Sequence, residues 1–593
     1  MRKIFYDFEV FSGVKEHGKS FWLVVLIDYD TRKKSIIIND VEKLKQVYKL
    51  LKNDIFIGYN SRGYDQFIFK GLLLGMDAGY INDKIILENK KGWQVVRDAY
   101  KIPFNNFDIS TGFHSLKQLE GFMGSKIKES EVSFDIQRAV TKDEIYEISE
   151  YCTHDVEETI KVFDAKREEF DSQLQLIEAF NLDMSMFSKT KAQLGAYILG
   201  AEKHENRGDE FNLSFPDTLV ISEKYQHIVE WYKQPENMDY KKKFRVDVAG
   251  MPAIFAWGGI HAALPKYHAE GIIVCCDVSS LYPALKIEYG YISRNVKNPE
   301  KYKEIRDTRL EMKRNKDPRQ APLKIVINGT YGAMKDKYNP LYDPLMSNNV
   351  CLAGQMLLLD LIEKLEPYGE LVQANTDGVF IKVEKESDIQ KLKDVASEWE
   401  KRTRLDLEWE IASKIYQKDV NNYVLVFPDG SYKSKGAYVK KLNDLDYDLP
   451  IVNKSLINYF TKNIPVEETI KKCTDLREFQ KIVKVSNKYL YAQHGDIRLS
   501  EKVLRVFASN DDNALGVYKV KWKLKDGIEQ EVAEKIGNTP ERCFIDNDDV
   551  KEKKVPEYLD NEYYIEMAKK RINDFLGISN KKKKSKSKRG KSE

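Results

Sequence analysis

The stretch "LVQANTDGVFIKV", residues 371–383, places the acidic residue Asp377 between two apolar runs that are typical of strands. An Asp-Gly pair between alternating apolar residues predicts a tight hairpin. On this segment alone, a plain turn is the favoured interpretation. A chemical role for Asp377 therefore requires an acidic partner elsewhere in the chain.

The run "IIVCCDVSSLYP", residues 272–283, supplies that partner, because Asp277 follows a predicted buried strand. A charge at such a position is unfavourable unless it is neutralised or binds a cation. Two aspartates of this kind can hold a pair of divalent cations, and hard oxygen ligands favour Mg²⁺. The two segments together predict phosphoryl-transfer chemistry.

A third segment, "KIVINGTYGAM", residues 324–334, strengthens this prediction. Lys324, Asn328 and Tyr331 recur at i, i+4 and i+7, a spacing that places them on one face of a helix. A cation, an amide and an aromatic ring on one face are suited to contact one ligand.

Composition limits the class of protein. A chain of 593 residues needs several hydrophobic cores, and 42% hydrophobic residues exclude wholesale disorder. No apolar run approaches the roughly 20 residues that cross a bilayer, and the start lacks a signal peptide, so we expect a cytoplasmic protein without a membrane partner. The six cysteines form no C-x-x-C pair, which argues against a zinc site or a disulfide framework. Because 96 basic side chains face 93 acidic ones, net charge alone does not indicate nucleic acid.

In chain order, "DVSSLYP", "KIVINGTYG" and "NTDG" resemble the three polymerase motifs of the family B DNA polymerases. The amino-terminal region resembles that family's 3′–5′ proofreading exonuclease, and the likeness covers most of residues 1–440. The implied fold class is an α/β and α+β multidomain protein, with a ribonuclease H-like exonuclease domain followed by a right-hand polymerase. The implied domains are exonuclease 1–165, connector and start of palm 166–270, palm 271–299, fingers 300–335, palm 336–415, thumb and a charged, helical C-terminal region 416–580, and a basic tail 581–593.

The resemblance implies a role for each matching residue of the polymerase motifs. Asp277 and Asp377 would be the metal ligands, together with the carbonyl of Val278. Tyr282 would be a steric gate against a ribonucleotide 2′-hydroxyl, and Lys324 would neutralise phosphate charge. Contacts to the incoming deoxynucleoside triphosphate (dNTP) are implied for Val278, Ser280, Leu281, Tyr282, Arg309, Lys313, Lys324, Asn328 and Tyr331. For Arg309 and Lys313, four apart on a charged helix, an ordinary solvated face is the alternative.

A second acidic cluster begins at "FYDFEVF", where Asp7 and Glu9 project from one face of a strand. Side-by-side like charges are unfavourable unless cations lie between them. "IGYNSRGYDQFIF" adds Asp65, and "YCTHDVEET" adds Tyr151 and Asp155, although each segment alone also fits a surface pair of charges. The resemblance implies that Asp7, Glu9, Asp65 and Asp155 hold two metal ions while Tyr151 orients the attacking water.

Contacts to DNA are implied for three further groups of residues. Asn60, Ser115 and Leu116 would grip a frayed 3′ end, and Lys128 is a weaker candidate for an electrostatic helper. Trp257, Gly258 and Gly259 in "FAWGGIHAALP" resemble a template-contacting loop, for which a plain turn is the alternative. Lys418, Tyr423, Lys433 and Lys435 are candidates for steadying the primer terminus, although Asn421 stands where Lys is expected.

The spacing of the motifs indicates the kind of polymerase. Asp277 and Lys324 are 47 positions apart (324 minus 277), and Tyr331 and Asp377 are 46 apart (377 minus 331). These gaps leave no room for the insertions of protein-primed phage relatives, so we predict a compact enzyme that extends an ordinary primer without a terminal protein. Its small size resembles that of viral or plasmid-borne members, above all those of phages, and the resemblance implies a monomer. Its partners would be primer-template DNA, dNTPs and replication accessory proteins, with two Mg²⁺ per active site and Mn²⁺ as a substitute.

Asn375 departs from the family pattern, which has an Asp at this position. Because this residue is neutral, we expect weaker Mg²⁺ binding than in relatives with Asp, and stronger Mg²⁺ binding in the Asn375→Asp variant. The neutral residue also motivates an alternative function, a DNA-binding replication factor or nuclease whose polymerase site has decayed. The tail "KKKKSKSKRGKSE" is either a solvated segment or a nucleic-acid contact.

Overall fold

The structure, a computed structural model, describes residues 1–16, 18–110, 112–525 and 528–578. The basic tail at 581–593 lies outside the described residues. Within them the strands form four sheets of five, nine, three and four strands, with helices packed against them. The expected multidomain α/β architecture is confirmed.

The amino-terminal region is a five-stranded sheet with helices on both faces. Its strands are β1 (Lys3–Glu16), β2 (Lys19–Asp28), β3 (Lys34–Ile38), β4 (Ile55–Gly58) and β5 (Asn105–Asp108), in the order β3-β2-β1-β4-β5. Its helices are α1 (Val41–Leu51), α2 (Asp65–Leu73), α3 (Ala78–Ile86), α4 (Gly92–Val95), α5 (Leu116–Met123), α6 (Lys142–Ala165) and α7 (Arg167–Ala179). Because successive β1 side chains alternate between faces, Phe5 packs in the core that includes α6 and Tyr6 in the core that includes α2.

The central sheet has nine strands and carries the polymerase-like motifs. Its strands are β6 (Phe244–Val248), β7 (Met251–Phe255), β8 (His261–Ala263), β9 (Tyr267–Val278), β10 (Glu370–Asn375), β11 (Gly378–Val383), β12 (Leu407–Asp419), β13 (Asn422–Val426) and β14 (Tyr432–Lys435). In the order β14-β13-β12-β9-β11-β10-β8-β7-β6, β9 lies between β11 and β12 and pairs antiparallel with both. The helices of this part are α8 (Lys191–Ile198), α9 (Glu223–Lys233), α10 (Leu281–Glu288), α11 (Glu300–Arg314), α12 (Gln320–Lys335), α13 (Pro344–Leu365) and α14 (Glu386–Thr403).

This sheet crosses two of the predicted domain boundaries. The boundary between 415 and 416 falls inside β12, which continues the sheet because it pairs with β9 along its length. The predicted connector 166–270 contains β6, β7, β8 and the start of β9 of the same sheet. The extent of the sheet was invisible in the sequence because it depends on pairing between distant strands.

Helix α13 corrects the expectation that no apolar run approaches bilayer length. Pro344–Tyr368 is long and apolar enough to span a membrane by length and composition, since an 18-residue window within it has a mean hydropathy of 1.4. However, 94% of that apolar window is buried inside the protein. The helix is apolar because the central core encloses it.

The C-terminal region was predicted to be charged and helical, and this prediction is wrong for residues 481–545. They form β15 (Lys481–Lys484), β16 (Tyr491–His494), β17 (Ile497–Arg498), β18 (Val503–Ala508), β19 (Val517–Lys525), β20 (Ile528–Lys535) and β21 (Cys543–Ile545), flanked by α15 (Pro450–Lys462), α16 (Val466–Lys471) and α17 (Asn561–Leu576). "VYKVKWKLK" in β19 alternates apolar and lysine residues, a period of two that predicts a strand. Its high charge concealed that period.

Arg505, on β18, joins this C-terminal region to the amino-terminal one. Its side chain is fully buried and donates to the carbonyl oxygens of Gly121 (3.3 Å) and Ser125 (2.6 Å) at the end of α5. A charged donor that satisfies several buried carbonyls is expensive to remove. The contact fixes α5, which carries one side of the amino-terminal acidic site.

Candidate active sites

The hairpin predicted at residues 375–378 is present, but its two-residue loop begins one residue earlier than a loop made of Asp377 and Gly378 would. Asn375 pairs with Gly378, so the two loop residues are Thr376 and Asp377, and Thr376 takes the positive φ of 54°. The Thr376 N–H donates to the carbonyl of Ile260 (3.0 Å), and the Val278 N–H donates to that of Asp377 (2.7 Å). These bonds hold the turn against β9.

Strand pairing brings the two predicted aspartates together. Gly378, directly after Asp377, is the residue on β11 opposite Asp277. A Cβ added to Gly378 would lie 1.7 Å from Oδ1 of Asp277, so only glycine leaves room for this carboxylate. Desolvation raises the pKa of Asp277 to about 6, and the charge of Asp377 adds to the rise. Two carboxylates that repel each other in this way fit a divalent-cation site.

Strand β12 adds two acidic residues that the sequence analysis missed. Glu408 lies opposite Asp277 on the other side of β9 and accepts a hydrogen bond from the Ser279 hydroxyl (3.0 Å). Glu410 forms an ion pair with Lys433 on β14. The alternation "LEWE" (407–410) is the signal that could have identified both as residues on one face of a strand.

Two of the lysines predicted to steady a primer face the acidic pair. The charge of Lys433 opposes the rise in the pKa of Asp277. Desolvation raises the pKa of Asp377, and the charge of Lys435 opposes that rise. Of the other two candidates, Tyr423 on β13 lies opposite Lys435, and its ring packs edge-on against Phe380. The Nζ of Lys418, on β12, is 3.6 Å from Oδ2 of Asp419.

A pocket of about 330 Å³ adjoins the acidic pair. Its lining is Ser280, Leu281, Tyr282, Pro283, Lys286, Arg309, Lys324, Ile327, Asn328, Tyr331, Thr376 and Asp377. Seven of the nine residues predicted to contact a nucleotide are among them, and Val278 and Lys313 are not. Lys324, Asn328 and Tyr331 therefore share one face of α12, as their spacing predicts.

Two aromatic rings shape one wall of this pocket. The centroids of the Tyr282 and Tyr331 rings are 4.5 Å apart, and the Tyr331 hydroxyl contacts the Cys351 sulfur. Arg309 is 8% exposed, and its Nε has no hydrogen-bond partner within the described residues. Lys313 is exposed, which favours an ordinary solvated helix face for this residue. Of the predicted pair, Arg309 is therefore buried at the pocket and Lys313 is not.

The amino-terminal site unites all four predicted carboxylates. Asp7 and Glu9 lie on β1, Asp65 begins α2 and Asp155 lies on α6. Desolvation raises the pKa of Asp65 to about 7 and that of Asp155 to about 6. It also raises the pKa values of Asp7 and Glu9 well above their usual range, and neighbouring carboxylates add to both effects. Buried acids that repel one another fit a site for divalent cations.

Lys117, on α5, contacts the acidic residues of this site. Its Nζ contacts Oδ1 of Asp155, donates to Oε1 of Glu120 (3.0 Å) and lies 4.6 Å from the centroid of the Tyr151 ring. For Lys128, the residue predicted for this role, the contact seen is its backbone N–H, 3.2 Å from Oε2 of Glu120. The sequence gives no sign of this role for Lys117, because its contact with Asp155 depends on how α5 packs on α6.

Three of the predicted DNA contacts, Asn60, Ser115 and Leu116, lie near this site. Asn60 is exposed with a φ of 59°, and its N–H donates to Oδ1 of Asp108 (2.9 Å). Ser115 caps the amino terminus of α5, and Leu116 is the first residue of that helix. Their position beside the acidic cluster is compatible with gripping a strand end, which stays a prediction.

The loop at residues 256–260 is anchored to the core by Trp257. Trp257 is 7% exposed, its ring packs against Tyr232, and its Nε1 donates to the carbonyl of Asn237 (3.3 Å). Because the ring belongs to the core, the predicted contact of this loop with a template would have to come from its backbone, and it stays a prediction. A Cβ on Gly259 would lie 2.6 Å from Oγ1 of Thr376, whereas one on Gly258 would meet nothing within 4 Å. Gly259 thus lets the loop support the Asp377 turn.

Comparison with known proteins gives partial similarities. No family model matches the chain. The chain is 27% identical to DNA polymerase 1 of Sulfurisphaera ohwakuensis over 197 residues, which is 32% of this chain and 21% of that protein. It is 27% identical to DNA polymerase 1 of Saccharolobus solfataricus over 163 residues, 26% of this chain and 18% of that protein. The matched segments therefore span about a fifth of these relatives.

A solved structure gives a fainter likeness over a longer range. The family B DNA polymerase of Pyrobaculum calidifontis aligns with 98% of this chain and 78% of its own, at 13% identity and a TM-score of 0.42. In sequence, the chain is similar to archaeal DNA polymerases over about a third of its length.

Gly378→Ala tests the close approach of the two strands. The added methyl group overlaps the carboxylate of Asp277, so we expect loss of divalent-cation binding at this pair and of the predicted primer extension. The matched control is Gly258→Ala, where a Cβ meets open space. Mn²⁺ calorimetry and a primer-extension assay measure both effects; equal behaviour of the two variants would contradict this reading of the turn.

Lys117→Met tests which lysine serves the amino-terminal site. Loss of its contact with Asp155 should slow removal of 3′ nucleotides on the order of 10²-fold, the scale of a lost positioning contact. Lys128→Met is the matched control and should leave the rate near that of the unchanged chain. The rate is measured by degradation of a labelled single strand, and a larger loss with Lys128→Met would refute the assignment.

Proposed function

We propose that this chain is a template-directed DNA polymerase that adds dNTPs to a primer 3′ end and removes mispaired ends with a 3′–5′ exonuclease. The observation that carries the proposal is the pocket that Asp377 lines beside Asp277, because Tyr282, one face of α12 and the cationic side chains of Arg309 and Lys324 line the same pocket. The names of the archaeal relatives support the polymerase activity.

In the polymerase site, Asp277, Asp377 and the carbonyl of Val278 would hold two Mg²⁺ ions, for which Mn²⁺ could substitute. When bound, these ions activate the primer 3′-hydroxyl and stabilise charge on the leaving pyrophosphate. Lys324 and the buried Arg309 would neutralise the polyphosphate from the side of the helices. Tyr282, held by its packing on Tyr331, would exclude a 2′-hydroxyl from the sugar position.

In the exonuclease site, Asp7, Glu9, Asp65 and Asp155 would hold the two ions that activate water for hydrolysis. Lys117 keeps the Asp155 carboxylate oriented and lies over the Tyr151 ring, so that the tyrosine hydroxyl can direct the attacking water. Asn60, Ser115 and Leu116 would hold the strand end.

The proposed substrates are primer-template DNA and dNTPs, and the proposed enzyme is a compact, phage-type monomer of the cytoplasm that replicates DNA with accessory proteins. The segment between Asp277 and Lys324 contains α10, α11 and the start of α12. The segment between Tyr331 and Asp377 contains little more than α13 and β10. Such short segments support extension of an ordinary primer without a terminal protein. The proposed domains keep the predicted order, with the palm extended to β14.

Single substitutions should separate the two activities. Asp277→Ala removes a metal ligand of one site and should reduce primer extension on the order of 10³-fold or more while leaving exonuclease cleavage intact. Asp7→Ala should have the opposite effect. Both are measured on one labelled primer-template, with and without dNTPs. Extension by Asp277→Ala at the normal rate would refute the polymerase assignment.

Asn375 motivates the alternative of a decayed polymerase site. Its Nδ2 donates to the carbonyl of Val420 (3.4 Å), and its Oδ1 accepts from the Thr376 hydroxyl (3.3 Å), so the residue also braces the turn. A decayed enzyme would incorporate no nucleotide with either Mg²⁺ or Mn²⁺. Both assigned metal ligands are kept, which favours an active enzyme.

Asn375→Asp should lower the Mg²⁺ concentration that gives half-maximal extension, because a second negative charge strengthens cation binding. Asn375→Ala is the control that loses the bracing bonds without adding charge, and it should reduce extension at every Mg²⁺ concentration. A Mg²⁺ titration of extension rate measures both. An unchanged midpoint in Asn375→Asp would rule out the charge argument.

A further inference from the structure

Lys286, on the helix that follows Asp277, is a buried cation that the proposed mechanism does not use. It lines the pocket together with Arg309 and Lys324 and is 2% exposed. Its Nζ donates to the hydroxyl of Thr330 on α12 and lies 5.5 Å from the centroid of the Tyr302 ring on α11. Three helices thus enclose this ammonium group.

No carboxylate balances the charge of Lys286 within the described residues. Its polar contact within the described residues is the neutral hydroxyl of Thr330, which itself donates to the carbonyl of Ile327 (3.0 Å). An ammonium group has three N–H donors, so this contact engages one of them. Desolvation lowers the pKa of Lys286 to about 7. A buried cation without a counter-charge is unfavourable in the free protein.

Arg309 repeats this situation on the neighbouring helix. It is also buried, forms no ion pair within the described residues, and has a buried Nε without a partner. Desolvation lowers its pKa as well. Two buried, unbalanced cations on the border of one pocket fit a site that receives an anion, because the anion supplies the missing charge and favours the protonated lysine.

We propose that Lys286 neutralises the polyphosphate of the nucleotide bound in this pocket, together with Arg309 and Lys324. This inference rests on the proposed function and deepens it. Lys286 takes the place that the sequence assigned to Lys313, which is exposed and absent from the pocket lining. Lys286 contributes a cation from α10, the helix that follows the Asp277 segment, in addition to those of Arg309 on α11 and Lys324 on α12.

A purely structural role is the competing explanation, since the Lys286–Thr330 bond also ties α10 to α12. Three substitutions separate the two. Lys286→Met removes the charge at similar volume, Lys286→Arg keeps the charge, and Thr330→Val removes the bond at similar shape.

The kinetic test measures KM for dNTP and inhibition by inorganic tripolyphosphate during primer extension by the full chain. Lys286→Met should raise both KM and the inhibition constant by on the order of tenfold, the effect of losing one charged contact. Lys286→Arg should restore both values substantially, and Thr330→Val should leave them near those of the unchanged chain. Exonuclease cleavage should be the same in all four proteins and serves as the folding control.

Two results would overturn the inference: a lower kcat in Lys286→Met with KM and tripolyphosphate inhibition unchanged, or the same changes produced by Thr330→Val. Calorimetric binding of tripolyphosphate distinguishes this failure from failure of the proposed function, since it needs no turnover. If the unchanged chain does not extend primers, the polymerase proposal fails, and tenfold weaker tripolyphosphate binding by Lys286→Met would still support the anion site. Equal binding by the two proteins would reject it.

Discussion

The antiparallel pairing of β9 with β11 is the contact on which the candidate polymerase site depends. It sets Gly378 against Asp277 so closely that a single methyl group on the glycine would overlap the carboxylate. The same register places Asp377 at the tip of the hairpin, and Gly259 lets the neighbouring loop support Thr376. The position of both carboxylates therefore follows from backbone pairing and from two residues without side chains.

Both acidic sites use the same physical principle. Carboxylates are placed where neighbouring protein desolvates them and where they repel one another, which raises their pKa values. A folded protein tolerates this cost when a ligand compensates for it, and divalent cations compensate for clustered negative charge. The pocket beside Asp277 contains desolvated positive charge instead, since Lys286 and Arg309 are buried there without an ion-pair partner among the described residues. Repelling carboxylates and buried cations therefore lie side by side at this site. Such a combination favours a substrate that carries both a divalent cation and a polyphosphate.

Sequence patterns predicted the features that depend on local periodicity. The hairpin around Asp377 and the common face of Lys324, Asn328 and Tyr331 follow from spacings of two and of three to four residues. Sequence patterns did not predict the side-chain contacts that tertiary packing determines. The Trp257 ring lies in the core, and Lys117 contacts Asp155 because α5 packs on α6.

The C-terminal strands show a different reason for failure. In β19, lysines alternate with apolar residues, and their charge masked a regular strand pattern. Here the information was present locally but was outweighed by composition. Lys286 is the reverse case, because nothing in its sequence surroundings indicates a buried ammonium group beside a pocket.

The most direct test of the central claim, that one chain carries two separate metal-dependent sites acting on the same DNA end, is a single labelled primer-template incubated with the intact protein and Mg²⁺. The account predicts a primer that lengthens to the end of the template when all four dNTPs are present and shortens from its 3′ end when they are absent. A primer that shortens under both conditions, with Mn²⁺ as well as Mg²⁺, would contradict it.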